Sequence, residues 1–541
     1  MSARESMGSS LGNFLSRRVS GWSTLATLTG SFLGLLLLPD LRAATGARVI
    51  ESLIYSGVCC WMFHALTQRN LLRVTLIYLA LPYFLFAAGW LKPAVAAVLA
   101  GVLLVSLVRA LRLPPPPPSS PPEETTLRSL LCFVAILVWV HLSGVGGYGY
   151  QTDDYQMHNS RLLDLVERPW PVRYGDDKNL VFYLAWYMPA AVVGKLSGYA
   201  IAQNTIYLWT ILGVWQALLW LARLTGRRLS TGLALCFALF GALDIIGYWY
   251  SVHLVAPNGG QPLVPADLDF LCFWTSYAFQ FMVGNYLSTT FQLYWAPHQI
   301  IAGWLAIAVV TSLFWQRRSE SIVFAFSLLF FWSPMIAVGL LPYLAILVCT
   351  SLHPRWRDVF SLQNVIAPAV LLFVFVLFYV GGSAAANPMI WTPSRITLKQ
   401  FDLMLLLYAL GWAAYFAVIT PTLRQFSTPQ RVSMFALTVN LFLVSLVAYG
   451  AYSDLFCRTS APLMFLLLTY LIMAVKHYRP ALRAFLLFAF VLLSAGSSLH
   501  QLTTSIRRYG ETQLPISIPA YAYAYENLGP DSSFFARHLR K

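Results

Sequence analysis

The chain reads as an all-α polytopic membrane protein, and three features of its sequence say so. Of its 541 residues 58% are hydrophobic and only 11% charged, and a mean hydropathy of +0.64 is too high for a soluble protein of this length. The apolar residues fall into runs of about 20, the length that crosses a bilayer. The basic residues between those runs collect on one side.

Taken in order, windows of that length place spans near 22–39, 47–66, 71–91, 93–111, 128–144, 204–223, 229–250, 296–315, 321–335, 336–350, 364–381, 402–420, 433–452, 461–475 and 482–498. Helices are expected because only a helix satisfies its own backbone hydrogen bonds in lipid. The expectation is about 15 spans, with a range of 13 to 15. The first run follows Arg17 and Arg18 and is succeeded by many others, which marks a signal anchor and not a cleaved leader.

The stretch 180–197 is apolar enough to compete, and orientation decides against it. With 180–197 lying along the surface, the loops at Arg69/Arg73, Arg109/Arg112, Arg223/Arg227/Arg228, Arg317/Arg318, Arg355/Arg357, Arg424/Arg431 and Lys476/Arg479/Arg483 share one side. That side is cytoplasmic by the positive-inside rule, and the formal excess of +15 falls there. Counting 180–197 as a span would send Arg227/Arg228 and Arg317/Arg318 outside. The expected location is the plasma (bacterial inner) membrane, with the N-terminus cytoplasmic and the C-terminus outside. Because the positive charge is dispersed over short loops, topology accounts for it without a nucleic-acid partner.

The run "RLPPPPPSSPPEETT" cannot be helical, since proline lacks the amide donor and clashes with the preceding turn. The expected organisation is a four-span unit at 1–111, a cytoplasmic linker at 112–127, a membrane unit at 128–498 with outer loops at 145–203 and 251–295, and an outer tail at 499–541. Seven cysteines lie mostly within apolar runs without repeated ligand spacing and read as small core residues.

One polar island stands out, "YGYQTDDYQMHNSRLLDLVERPWPVRYGDDKNLVFYLAWY". It sets Asp153, Asp154, Asp164, Glu167, Asp176 and Asp177 against Arg161, Arg168, Arg173 and Lys178. Asp154, His158 and Arg161 recur at spacings of four and three, one face of a helix that Pro169 ends. The following "NLVFYLAWYMPAAVVGKL", with Tyr183 and Lys195, suits the water–lipid interface. A carboxylate held there can take a proton from an acceptor hydroxyl or amine, and a neighbouring carboxylate shifts its pKa or helps hold a metal ion. The plainer alternative is a solvated loop in which acids pair with bases. Asp176 and Asp177 in particular could anchor it through Arg173 and Lys178.

A spanning helix, an outer loop opening "TDDYQMHNSRLLDL", then "WPV", a surface helix "YLAWYMPAAVVGKLSG" and a span ending "ARLTGRR" resemble the GT-C superfamily of integral-membrane glycosyltransferases. Relatives there include protein O-mannosyltransferases and the aminoarabinose transferase of lipid A. The resemblance covers roughly 128–350, in the order of elements. It implies a polyprenyl phosphate sugar as donor, a glycan, lipid or protein as acceptor, and a GT-C-like helical bundle. It also implies Asp154 as general base with Asp153 as helper, and His158 and Asn159 as donor or acceptor contacts. The four-span N-terminal unit and the small C-terminal tail depart from the best-known members.

Further outer-face residues complete the candidate substrate-binding set with Arg161, Tyr183 and Lys195. "YWAPHQIIAGW" brings His298 and Gln299 to the outer end of a span, and "AYSDLFCRTSAP" brings Arg458 for a donor phosphate, unless it only pairs with Asp454. Asp244, in the outer part of a span, is a site residue or a partner of Lys399 or Arg395. Pro334 and Pro342 suggest a kink or a helical hairpin. An acidic pair could hold Mg²⁺ or Mn²⁺ through Asp153 and Asp154, although no cofactor is demanded. No nucleotide-binding motif is present, so the donor is expected from the membrane. The rival readings are an O-antigen ligase or polymerase, and a lipid or sugar transporter or flippase, which would carry mid-span charges and an inverted repeat.

Overall fold

A computed structural model describes residues 70–112, 126–175, 177–242, 287–382, 390–391, 412–449, 454–520 and 528–541. The described chain is mostly helical. In order it forms α1 (Asn70–Trp90), α2 (Pro93–Leu111), α3 (Thr126–Leu142), α4 (Asp154–Glu167), α5 (Met188–Ser197), α6 (Tyr199–Thr225), α7 (Thr231–Leu239), α8 (Thr289–Trp295) and α9 (Pro297–Trp315). Then follow α10 (Ile322–Ser327), α11 (Pro334–Gly339), α12 (Leu341–Val359), α13 (Leu362–Val380), α14 (Thr428–Ser445), α15 (Asp454–Val475), α16 (Pro480–Ser494) and α17 (Gly496–Arg507).

Among the described residues six helices are long and apolar enough to cross a membrane: α1, α2, α6, α9, the stretch Trp356–Val380 that takes in the end of α12 and all of α13, and α15. A seventh arises if α16 and α17, bent by 59°, count as one. The expected spans at 22–39 and 47–66, and parts of 229–250 and 402–420, lie outside the described residues. Elsewhere the apolar windows overshoot. The window 321–335 is not one helix, because α10 stops at Ser327 and Ser333 caps the new helix α11 by accepting from the Ile336 amide. Pro334 and Pro342 both sit in first turns, where proline's missing donor costs nothing, so they start helices and do not kink them. Segment 180–197 is a strand end, a coil and the ten-residue α5, about 15 Å of helix and half a bilayer.

The apolar faces meet in one buried cluster that includes α1 and α2 together with the helices after the proline run. Several polar groups in it are paired across helices. Trp220 donates from Nε1 to the Thr75 hydroxyl, which in turn donates to Gln216 Oε1, both at 2.9 Å. Trp332 donates to the Leu79 carbonyl at 3.0 Å. Residues 70–111 therefore pack in the same core as the rest.

Among the described residues five short strands decorate the helices: β1 (Arg173–Tyr174), β2 (Lys178–Leu180), β3 (Ile390–Trp391), β4 (Val447–Ala448) and β5 (Leu528–Pro530). β3 pairs with β4, while β1, β2 and β5 form an antiparallel sheet in that order, with Asn179 opposite Gly529. The tail thus completes the sheet of the polar island. Its last residues also bind the α1–α2 turn, Lys92 N to Leu539 O at 2.9 Å and Lys541 N to Trp90 O at 2.8 Å.

The acid that anchors Arg173 comes from this tail: Arg173 meets Asp531 at 2.8 Å, and Asp531 also binds Arg540 and the Asn179 amide. The expected pairing with Asp177 is not formed, and Asp176 lies outside the described residues. Tail and loop are distant in sequence, so no local pattern reveals the pair. The hydrogen bond from Arg540, with the Asn179 amide and the neighbouring guanidiniums helping against burial, depresses the Asp531 carboxyl to about 2. A depressed carboxylate stabilises fully above its unfolded value of about 4 and loses that contribution as pH falls towards its folded value. Asp531→Asn is therefore expected to cost about 1–3 kcal/mol at neutral pH. In thermal melts of detergent-solubilised protein, the gap from the parent should close between about pH 4 and pH 2.

Candidate functional site

α4 carries the site, and its position is fixed from three sides. The preceding Gln151 donates its amide to Glu511 O at 2.9 Å and accepts from Gln513 N and Asn159 Nδ2 at 2.8 and 3.0 Å. On the helix, Asn159 donates to Gln513 O at 2.6 Å and accepts from Gln203 at 3.2 Å, while Ser160 accepts from the Ile516 amide at 2.8 Å. At the C-terminal end Lys195 donates to the Arg168 carbonyl at 2.6 Å and to Val166 O at 3.3 Å, and its ammonium lies 5.2 Å from the Trp170 ring. Gly194 lets α5 approach closely, since a Cβ there would lie 2.6 Å from Val166 and 2.7 Å from Ala202.

Two sequence expectations change as a result. Asn159 is spent holding the segment after α17, and Lys195 caps the far end of α4.

On the inner face of α4 the spacing of Asp154, His158 and Arg161 does what it predicts. The Trp295 carbonyl can only accept, so His158 donates to it from Nε2 at 3.3 Å and leaves Nδ1 to accept from the Tyr187 hydroxyl at 2.6 Å. The Tyr187 oxygen is then free to accept from Arg161 Nη1 at 3.5 Å. Arg161, 5% exposed, lies 3.5 Å over the centre of the Phe182 ring.

His298, at the first turn of α9, stands edge-on to His158 with ring centres 4.8 Å apart, and Tyr183 lies parallel to it at 6.2 Å and 11°. Ser333 donates to Gln299 Oε1 at 2.7 Å, which turns the Gln299 amide nitrogen towards His298 Nε2 at 3.0 Å. His298 must then carry its proton on Nδ1, and that buried atom has no partner. Arg458, in the second turn of α15, is held 3.7 Å from Asp454, and its buried Nε is equally unpartnered. Gly339 makes room for this part of α15, because a Cβ there would collide with Thr459.

Asp154 is half-buried between these groups. Burial raises its pKa, the charges of Arg458 and Arg161 oppose that rise, and Asp454 and Asp153 add to it. The net direction is upward. Asp153 is exposed at the mouth of the helix. Among the described residues no three His, Cys, Asp or Glu side chains gather as ligands.

Asp154, His158, Arg161, Tyr183, His298, Gln299 and Arg458 thus converge from α4, the segment before α5, α9 and α15. Asp244, with Lys399 and Arg395, lies outside the described residues. Sequence reasoning passed over Tyr187, Phe182 and Ser333. Tyr187 sits in an aromatic run where nothing local separates it from Tyr183. The assembled site offers two cationic groups, two unpartnered N–H donors and one carboxylate of raised pKa within an aromatic wall. Such donors can pair with oxygen acceptors that carry negative charge. Compared with family models, curated proteins and solved structures, the chain has no match in any of the three.

Burial, the nearby Arg161 and Arg458 charges and the hydrogen bond to Trp295 together leave the His158 imidazole at about 3, with burial the largest cause. The unfolded chain takes up this proton below about pH 6.5 and the folded chain does not, so stability falls as pH drops from about 6.5 towards 3. His158→Gln is expected to flatten that acid slope in denaturation curves. A slope unchanged by the substitution would show that His158 titrates normally.

Proposed function

We propose that the chain is a membrane-embedded glycosyltransferase of GT-C type that takes a sugar from a polyprenyl phosphate donor. The observation that supports this reading best is the pair of buried donors without partners, His298 Nδ1 and Arg458 Nε, near a carboxylate of raised pKa. A phosphate ester supplies the acceptors the donors lack, and an attacking hydroxyl or amine supplies the proton the carboxylate takes. The acceptor is a glycan, a lipid or a protein on the outer face.

In this mechanism the acceptor oxygen or nitrogen attacks the anomeric carbon as the bond from that carbon to the phosphate oxygen breaks, so the configuration inverts. Asp154 removes the acceptor's proton. The electron pair of the broken bond stays on the leaving phosphate, where Arg458, Arg161 and the His298 N–H offset the growing charge. His158 and Tyr187 hold the Arg161 head in place, and Tyr183 and Phe182 form the apolar side of the sugar pocket.

Asp154→Asn should reduce transfer by about 10²–10⁴-fold with unchanged membrane levels, as expected for loss of a general base. Turnover is read as release of polyprenyl phosphate, and full activity would remove Asp154 from that role. Because the Arg458 charge lowers the Asp154 pKa, Arg458→Gln should move the acid limb of the pH–rate profile to higher pH as well as weaken donor binding. An acid limb that stays in place would separate Arg458 from Asp154.

A further inference from the structure

The opposite end of α6 carries a second cluster that the transfer reaction does not use. α6 starts beside α4, where Tyr199 donates to the Asn159 carbonyl, and its 27 residues run about 40 Å to the far face. There the chain passes through Gly226 and Arg227 to Ser230, which caps α7 by accepting from the Leu233 amide. α16 packs against α7, with its Ser494 end on the side of the candidate site and Arg483 at the far face.

Arg483 folds back on the end of α15, donating through Nη2 to the carbonyls of Lys476 and Tyr478 at 2.9 and 3.1 Å. Its Nε is buried without a partner, and so is the Nε of Arg227. The two guanidiniums are close enough to repel, and burial together with the Arg483 charge lowers the Arg227 pKa. Nearby His477 is likewise lowered by burial and by Lys476 and Arg483. Among the described residues no carboxylate is among the groups that act on Arg227 or His477. Two half-buried like charges with donors to spare are costly unless something negative lies between them.

The geometry points to a phosphate-binding site formed by Arg227 and Arg483 between the ends of α6 and α16, on the face opposite the transfer site. A phosphate mono- or diester offers several acceptor oxygens to the two free N–H groups and offsets the repulsion. Its source is an acidic lipid headgroup or a soluble phosphate, since basic pockets between helix ends at a membrane face bind such headgroups.

The test uses the full chain in detergent, with thermal shift and native mass spectrometry in the presence of phosphatidylglycerol, phosphatidylcholine or inorganic phosphate. Binding of phosphatidylglycerol over phosphatidylcholine is expected, about tenfold or more weaker in Arg227→Gln/Arg483→Gln. Arg227→Lys/Arg483→Lys, which keeps the charge but loses the planar fork, should fall between the two. Competition by inorganic phosphate would assign the site to a soluble anion, and its failure to compete would assign it to the lipid. The exposed pair Arg228→Gln/Arg479→Gln removes the same charge, and an equal loss there would overturn the site in favour of general surface charge. Equal binding by the parent and a monodisperse Arg227→Gln/Arg483→Gln protein would also overturn it.

Discussion

Everything at the candidate site follows from placing Arg161 and Arg458 against an apolar wall. A charge taken out of water is expensive unless other groups answer it, and the answers here come from separate parts of the chain. Asp454 answers Arg458 from one turn earlier on its own helix, and Phe182 and Tyr187 answer Arg161 from the segment before α5. Asp154 shares in both. With the two carboxylates ionised the set is neutral, and with Asp154 protonated it is cationic.

That electrostatic balance demands a rigid support, and α4 has one. Its N-terminal approach is bound by the segment after α17, its flank by Gln203 of α6 and its end by Lys195 of α5. The imidazoles add direction. Because each is fixed by one acceptor-only or donor-only neighbour, His158 and His298 hold opposite tautomers, and only His298 points a free N–H into the cluster.

Local periodicity made half of this site legible. The four- and three-residue spacings of Asp154, His158 and Arg161 define a face in any helix, and the structure keeps it. Composition likewise marked the apolar helices, and loop charge kept 180–197 out of the membrane count. The apolar windows read too many full spans after residue 320, because serine caps and first-turn prolines break helices without lowering hydropathy. Asn159 and Lys195 look like binding groups in sequence, yet their partners are backbone carbonyls and amides elsewhere, which no residue pattern announces. Arg173 is the same lesson in longer range, since its acid lies 358 residues away.

The strand that closes the polar island's sheet is made about 350 residues after the loop it pairs with. At ordinary elongation speeds that delay is on the order of tens of seconds. During that time α4 lacks the Gln513 and Ile516 backbone contacts to Asn159 and Ser160, and the β1–β2 segment lacks the Asp531 anchor. The loop and the carboxylate it carries are therefore made long before the segments at 513–516 and 528–531 that hold them in place.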